Sequence, residues 1–213
     1  MKKTFALLLV LLLMAGMLAA CAEKEKEPDT PPSPPQPQYQ DAKPLAEALD
    51  QAEGYNYTYI HETEYGKATI SRNGDDVYIL DESEDRINKT AYVKDTEKNQ
   101  FRLYRFDLTE NCWKQYVATP TQYQMNLQGL LEEMEFQRKQ ILPALKDAEA
   151  DSSGAYSVKL SDGRSVRVFA QNDVLIVQSD SDSVRFSAVG TSEVPLTDEM
   201  KNAPEEKYTH SQF

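Results

Sequence analysis

Apolar and polar residues alternate along much of the chain from Gly54 to Ala118. Tyr55, Tyr57 and Tyr59 alternate with Asn56, Thr58 and Ile60, and strand-like runs follow at Lys67–Arg72, Asp76–Leu80, Ile87–Lys94, Gln100–Leu108 and Cys112–Ala118. Period-two patterning in short runs marks half-buried strands. The separators are turn chemistry: Tyr65-Gly66, Arg72-Asn73-Gly74-Asp75, Asp81–Asp85, Asp95-Thr96-Glu97-Lys98 and Thr109-Glu110-Asn111. Asn73-Gly74 is the strongest hairpin signal among them. Connections this short make neighbours antiparallel, so the region predicts a meander of about six strands.

The period changes at Thr121. Leu127, Leu130, Leu131 and Met134 recur at helical spacing, and Ile141, Leu142 and Leu145 continue the stripe. Pro143 predicts a break or kink near Leu142. A lone amphipathic helix must bury its stripe, and the sheet is the large partner available. Strand-like runs return at Ala155–Leu160, Ser165–Ala170, Val174–Gln178 and Ser183–Val189, and Val194-Pro195-Leu196 reads as a final edge segment. Upstream, Leu45, Ala46 and Leu49 predict a short helix, with Asp41 as N-cap, Pro44 in the first turn and Gly54 as the stop.

The two ends differ from the middle. Lys2 and Lys3 precede a nearly pure apolar run, Phe5 to Leu18, which closes on Leu18-Ala19-Ala20-Cys21. The order basic, apolar, small is that of a secretory signal. A retained transmembrane helix is the alternative, but the run is shorter than the roughly 20 residues a span needs. Ala22 to Gln40 is charged, then proline-rich, and reads as an extended tether or, alternatively, as a PxxP-type ligand. These boundaries divide the chain into a signal (1–20), a tether (21–40), a folded domain (41–198) and a polar tail (199–213).

The formal net charge is -12, and losing Lys2 and Lys3 with the signal takes it to -14. An acidic surface of this kind repels nucleic acid and anionic headgroups, so no nucleic-acid partner is expected. The chain has two cysteines, Cys21 and Cys112. If Cys21 carries a lipid anchor, as the resemblance of Leu18-Ala19-Ala20-Cys21 to a bacterial lipobox implies, no internal disulfide can form. Cys112 as a nucleophile would need a base, and the histidines are His61 and His210. A half-buried strand cysteine is the plainer reading. Asp81–Asp85 and Asp180–Asp182 lack EF-hand spacing and read as solvated turns, so neither a metal nor a cofactor is expected. No nucleophile elbow, P-loop or dinucleotide fingerprint occurs, and nothing nominates an enzyme. Asn56-Tyr57-Thr58 and Asn88-Lys89-Thr90 match a glycosylation sequon by chance.

Leu18-Ala19-Ala20-Cys21 resembles the lipobox of bacterial lipoproteins. The resemblance implies cleavage before Cys21, a diacylglyceryl group on its thiol with palmitate-type acyl chains, and a place on the extracytoplasmic side of the cell membrane. Lys89–Lys94, Tyr104-Arg105-Phe106-Asp107 and Cys112-Trp113-Lys114 form a tyrosine-strand, turn, tryptophan pattern, and Phe186–Gly190 leads into Val194-Pro195-Leu196. With the element order, these resemble the LolA/LolB-like and LppX/LprG-like lipoproteins and lipid carriers over about Ala46 to Thr197. That resemblance implies an α+β fold: a curved antiparallel sheet, an open half-barrel, covered on its concave face by helices. It also implies a lipid or acyl chain between the two layers.

The residues expected on the inner face are rich in tyrosine: Tyr57, Tyr59, Tyr78, Tyr92, Tyr104 and Tyr116, beside Ile70, Leu80, Phe106, Leu130 and Met134. Tyrosine offers an apolar ring and a polar hydroxyl, which suits an amphiphile. A tyrosine ladder also serves as packed core or cross-strand pairing. Two functions therefore stand open. One is a membrane-tethered carrier or sensor of an amphiphile. The other is a structural or interaction lipoprotein with a closed core that docks an envelope protein partner.

Overall fold

The computed structural model describes residues 37–52, 55–84 and 86–208. The signal, Cys21 and its lipidation, most of the tether, Gly54 and His210 lie outside them. The six-strand meander is present: β1 (Tyr57–Thr63), β2 (Gly66–Asn73), β3 (Asp76–Ser83), β4 (Arg86–Asp95), β5 (Gln100–Asp107) and β6 (Cys112–Ala118). Neighbours pair antiparallel in sequence order. The Asn73-Gly74 signal closes its hairpin, with Gly74 at φ 62° and Asn73 opposite Asp76.

A helix then begins at an N-cap that the leucine pattern did not reveal. The Thr119 hydroxyl accepts from Gln122 N–H, and the Gln122 side chain accepts from Thr119 N–H, with Pro120 in the first turn. This capping box and its proline start a helix several residues before the leucine stripe. The helix, preceded by α1 (Lys43–Asp50), is α2 (Pro120–Leu145). The expected break near Leu142 does not divide it: α2 runs through Pro143 to Leu145. In the last turn a proline interrupts few backbone bonds, and the helix ends within three residues.

After α2 the chain re-enters the sheet at its far side with β7 (Tyr156–Lys159), β8 (Ser165–Gln171), β9 (Val174–Gln178) and β10 (Asp182–Ser187). β10 pairs antiparallel with β1, which joins the two meanders into one sheet. With α3 (Asp198–Lys201) and β11 (Glu205–Glu206), the sheet has eleven strands in the order β11-β6-β5-β4-β3-β2-β1-β10-β9-β8-β7. Its two edge strands do not meet, so the sheet is open. The fold is thus α+β with an open, mostly antiparallel sheet. The 26 residues of α2 span about 39 Å. This is comparable to the roughly 43 Å from β6 to β7 at usual strand spacing.

Strand alternation assigns two faces. Tyr57, Tyr59, Ile70, Val77, Tyr92, Leu103, Tyr116, Val168, Val184 and Phe186 form the main core with Leu127, Met134, Ile141 and Leu145 of α2. Of the buried positions on α2, Tyr123, Leu127, Met134, Arg138, Ile141 and Leu145 follow one stripe in steps of four, seven, four, three and four residues, with half-buried Leu130 and Leu131 in the long step, and Gln140 is buried beside it. Arg138 fixes the two helices together, donating from Nη1 to the carbonyls of Leu49 and Asp50 at 2.7 and 3.0 Å. These carbonyls belong to the last turn of α1, where intrahelical donors run out, and Leu49 O also accepts from Ala52 N–H at 3.3 Å. The N-cap of α1 is Ala42 rather than Asp41. Asp41 sits one residue earlier, where its carboxylate accepts from Lys43 N–H and from the Tyr156 hydroxyl.

The opposite face carries a second, smaller core of Ala91, Tyr104, Trp113 and Met200, with Tyr78, Phe106, Val194 and Leu196 packed against it. Val194-Pro195-Leu196 was expected as an edge segment, but it crosses this face without pairing. Residues 199–208 were expected in a polar tail. Instead, Met200 is fully buried, β11 pairs parallel with β6, and Gln115 N–H donates to Pro204 O. The tether also gives way to the fold before residue 41. Tyr39 N–H donates to Ser153 O, and the Tyr39 ring lies 4.2 Å from that of Phe169. Gly154 permits the Tyr39 approach, because at its φ of +88° an added Cβ would stand 2.6 Å from Tyr39 O.

Candidate functional site

The structure separates the eleven residues expected to line one wall. Tyr57, Tyr59, Ile70, Tyr92, Tyr116, Leu130 and Met134 share the α2 side of the sheet. Tyr78, Tyr104 and Phe106 belong to the opposite core. Leu80 joins them by alternation, since its neighbour Ile79 packs on the main core. The physical reason is that β3 and β5 are apolar at both parities. Each face has its own cover, so hydrophobicity cannot say which side a residue takes.

Beneath the centre of α2 the space is filled. Tyr57, Ile70 and Met134 are almost wholly buried. The Tyr59 ring packs edge-on to Phe186 at 5.4 Å. The hydroxyls have protein partners: Tyr57 donates to Glu135 Oε1 at 2.9 Å, and Tyr92 accepts from Asn126 Nδ2 at 3.3 Å. Tyr116 donates to Glu206 Oε2 at 3.3 Å. Burial, reinforced at Tyr57 by the Glu135 carboxylate, holds the Tyr57 and Tyr59 phenols well above their usual pKa. Burial lifts Tyr92 to about 12, against the opposing Asn126 bond.

The layers part at the first turns of α2. A groove of about 390 Å³ opens there against β2, β4 and β5, lined among others by Arg72, Lys94, Phe101, Tyr123, Gln128 and Leu131. The capping box sets Tyr123 one turn into α2, facing the sheet. Its ring stacks on Phe101 at 3.9 Å and 8° and meets Tyr92 edge-on at 5.6 Å. Arg72 lies near the end of β2 on the same face. Its guanidinium stands 4.0 Å over the Tyr55 ring, and its Nε donates to Gly74 O at 3.1 Å. Its Nη1 is 4.0 Å from Glu135 Oε1, too long for a hydrogen bond. Burial raises the Tyr123 phenol to about 12, with Arg72 acting the other way, so the group is a neutral donor at ordinary pH.

Arg72, Phe101 and Tyr123 were not among the expected wall residues. Arg72 hid inside a turn signal and Phe101 inside a strand run. Tyr123 lies inside the helical stretch that begins at Thr121 but ahead of the leucine stripe, so the stripe did not mark it as facing the sheet. Cys112 sits half-buried at the start of β6. Among the described residues no three His, Cys, Asp or Glu side chains gather as metal ligands, and no helix is long and apolar enough to cross a membrane. Compared with known proteins, the chain matches no family model, no curated protein and no solved structure at a significant level.

Proposed function

We propose that this protein is a membrane-tethered, extracytoplasmic lipoprotein that binds a lipid or other amphiphile where α2 meets the sheet. The observation that carries the binding reading is the groove of about 390 Å³ between the two layers. Its volume falls within the usual range for ligand sites, about 300–1,000 Å³. Stacked Phe101 and Tyr123 and the Leu131 side chain give it an apolar wall. The tether reading rests on Lys2-Lys3, the apolar run and Leu18-Ala19-Ala20-Cys21. In this reading the domain is LolA-like, the covered face of the sheet is the concave one, and the protein is a binder rather than an enzyme. It has no cofactor and no nucleic-acid partner.

The amphiphile does not need a preformed tunnel under the whole helix. Tyr57, Tyr59, Ile70 and Met134 already fill that space, so the head and first carbons occupy the groove, and any longer chain displaces side chains of α2. The same filled space favours a second reading, a lipoprotein with a closed core that docks an envelope protein partner.

Two measurements test the proposal. Solvent extraction of the purified full chain, followed by mass spectrometry, should release a bound amphiphile, and the stripped chain should take up a fluorescent fatty acid. A chain that carries none and takes up none would leave the docking reading. Cys21→Ser should release the protein from membranes or leave it unprocessed. Full membrane partition with unchanged trimming would sink the anchor.

A further inference from the structure

Two neighbouring donors beside the groove lack acceptors. The Tyr123 hydroxyl and Arg72 Nη1 are buried and make no hydrogen bond among the described residues. Their residues are only 9% and 7% exposed. Buried polar atoms are nearly always paired, so two orphans at one groove call for an acceptor. The surrounding carboxylates already have donors. Asp75 pairs with Lys94, and Asp76 accepts from Lys94 N–H. Glu132 accepts from Gln128, and Glu135 accepts from Tyr57 and Arg138.

We propose that the groove seats the carboxylate head of an anionic amphiphile, one oxygen accepting from the Tyr123 hydroxyl and the other from Arg72 Nη1. The proposal rests on the amphiphile-binding reading above and adds the ligand's charge and the seat of its head. A carboxylate is acceptor-only and has two oxygens, one for each orphan. The guanidinium keeps its charge at any working pH, and charge-assisted bonds of this type are the strong ones. A phosphate head fits less well, because its extra charge and oxygens would face Asp75 and Glu132 while Lys94 is engaged. Neither donor atom is open to water, so side chains lining the groove must shift to admit the head.

The test uses the full chain in neutral phosphatidylcholine vesicles, labelled by a photoactivatable fatty acid. Oleate, oleyl alcohol and acetate serve as competitors. Tyr123→Phe is the key variant, since it keeps the ring stack on Phe101, removes only an unpaired hydroxyl, and should fold with undiminished thermal stability. The expected result is that oleate displaces the label far better than oleyl alcohol. Tyr123→Phe should weaken oleate by about 10- to 100-fold, the value of one hydrogen bond to a charged group, and weaken oleyl alcohol, whose neutral oxygen accepts a weaker bond, by clearly less, at most about 10-fold. Equal competition by oleate and oleyl alcohol, with oleate unaffected by Tyr123→Phe, overturns the carboxylate seat and leaves the amphiphile reading standing. Acetate competing as well as oleate overturns it in favour of a free-acid site. No specific labelling at all overturns both.

Discussion

Met125 and Met134 lie on the same helix and differ almost only in burial. Met134 is 0% exposed against the sheet, whereas Met125 is 64% exposed. Truncating each to alanine removes the same atoms and makes the same small change in helix propensity. At Met134 the lost transfer free energy is about 2 kcal/mol, at roughly 0.8 kcal/mol per methylene-sized group. A residual void of roughly 60 Å³ adds about 1.5 kcal/mol at about 24 cal/mol per Å³, or less where neighbours collapse into it. Met134→Ala should therefore destabilise by about 2–4 kcal/mol, and Met125→Ala should stay within about 0.5 kcal/mol. Urea denaturation followed by Trp113 fluorescence and far-ultraviolet circular dichroism would measure both, provided the slope with denaturant is unchanged. Similar shifts for the two variants would refute the burial of the α2 stripe, and with it the premise of a sheet–helix groove.

Two further outcomes follow from the burial pattern. Burial raises the folded-state pKa of Tyr57, Tyr59, Tyr92 and Tyr123 above the unfolded value of about 10. Their contribution to stability is therefore fully present below about pH 10 and fades as pH rises toward 12 and beyond. Absorbance at 295 nm should show these four of the twelve tyrosines ionising late, together with Tyr156, which its bond to the Asp41 carboxylate raises to about 12, and a single transition of all of them near pH 10 in folded protein would contradict this. Met200→Ala should destabilise by about 2–4 kcal/mol through loss of a fully buried side chain. It should also shift Trp113 emission to the red, since Met200 and Trp113 share the second core, and unchanged emission would mean that α3 does not cover this face.

The hairpins were legible because their information is local. Alternation over five to eight residues and turn residues such as Asn73-Gly74 act between near neighbours, so the meander follows from the chain's own order. The start of α2 was legible: the change of period at Thr121 lies one residue from Pro120, where the capping box of Thr119 and Gln122 begins the helix. The wall residues were only half legible. Tyr57 and Ile70 alternate cleanly with polar neighbours, and Tyr59 and Tyr116 have one polar neighbour each, whereas Tyr92 lies between Ala91 and Val93. Tyr78-Ile79-Leu80 and Leu103-Tyr104-Arg105-Phe106 carry apolar side chains at both parities.

The amino-acid sequence by itself determined the kinds of elements, most of their limits, the antiparallel pairing of β1 to β6 and the amphipathic stripe of α2. Each depends on period, turn chemistry or composition within one stretch of chain. Only the tertiary structure decided that β10 closes onto β1, that residues 194–203 cover the back of the sheet, and that Tyr104 and Tyr92 look opposite ways. It alone brought Arg72 of β2 beside Tyr123 of α2. Those outcomes join residues about 50 to 130 positions apart, as Arg72 with Tyr123 and Thr58 with Ser187. Contacts of such separation are selected by the burial of whole faces, a free energy summed over many side chains and written in no single segment.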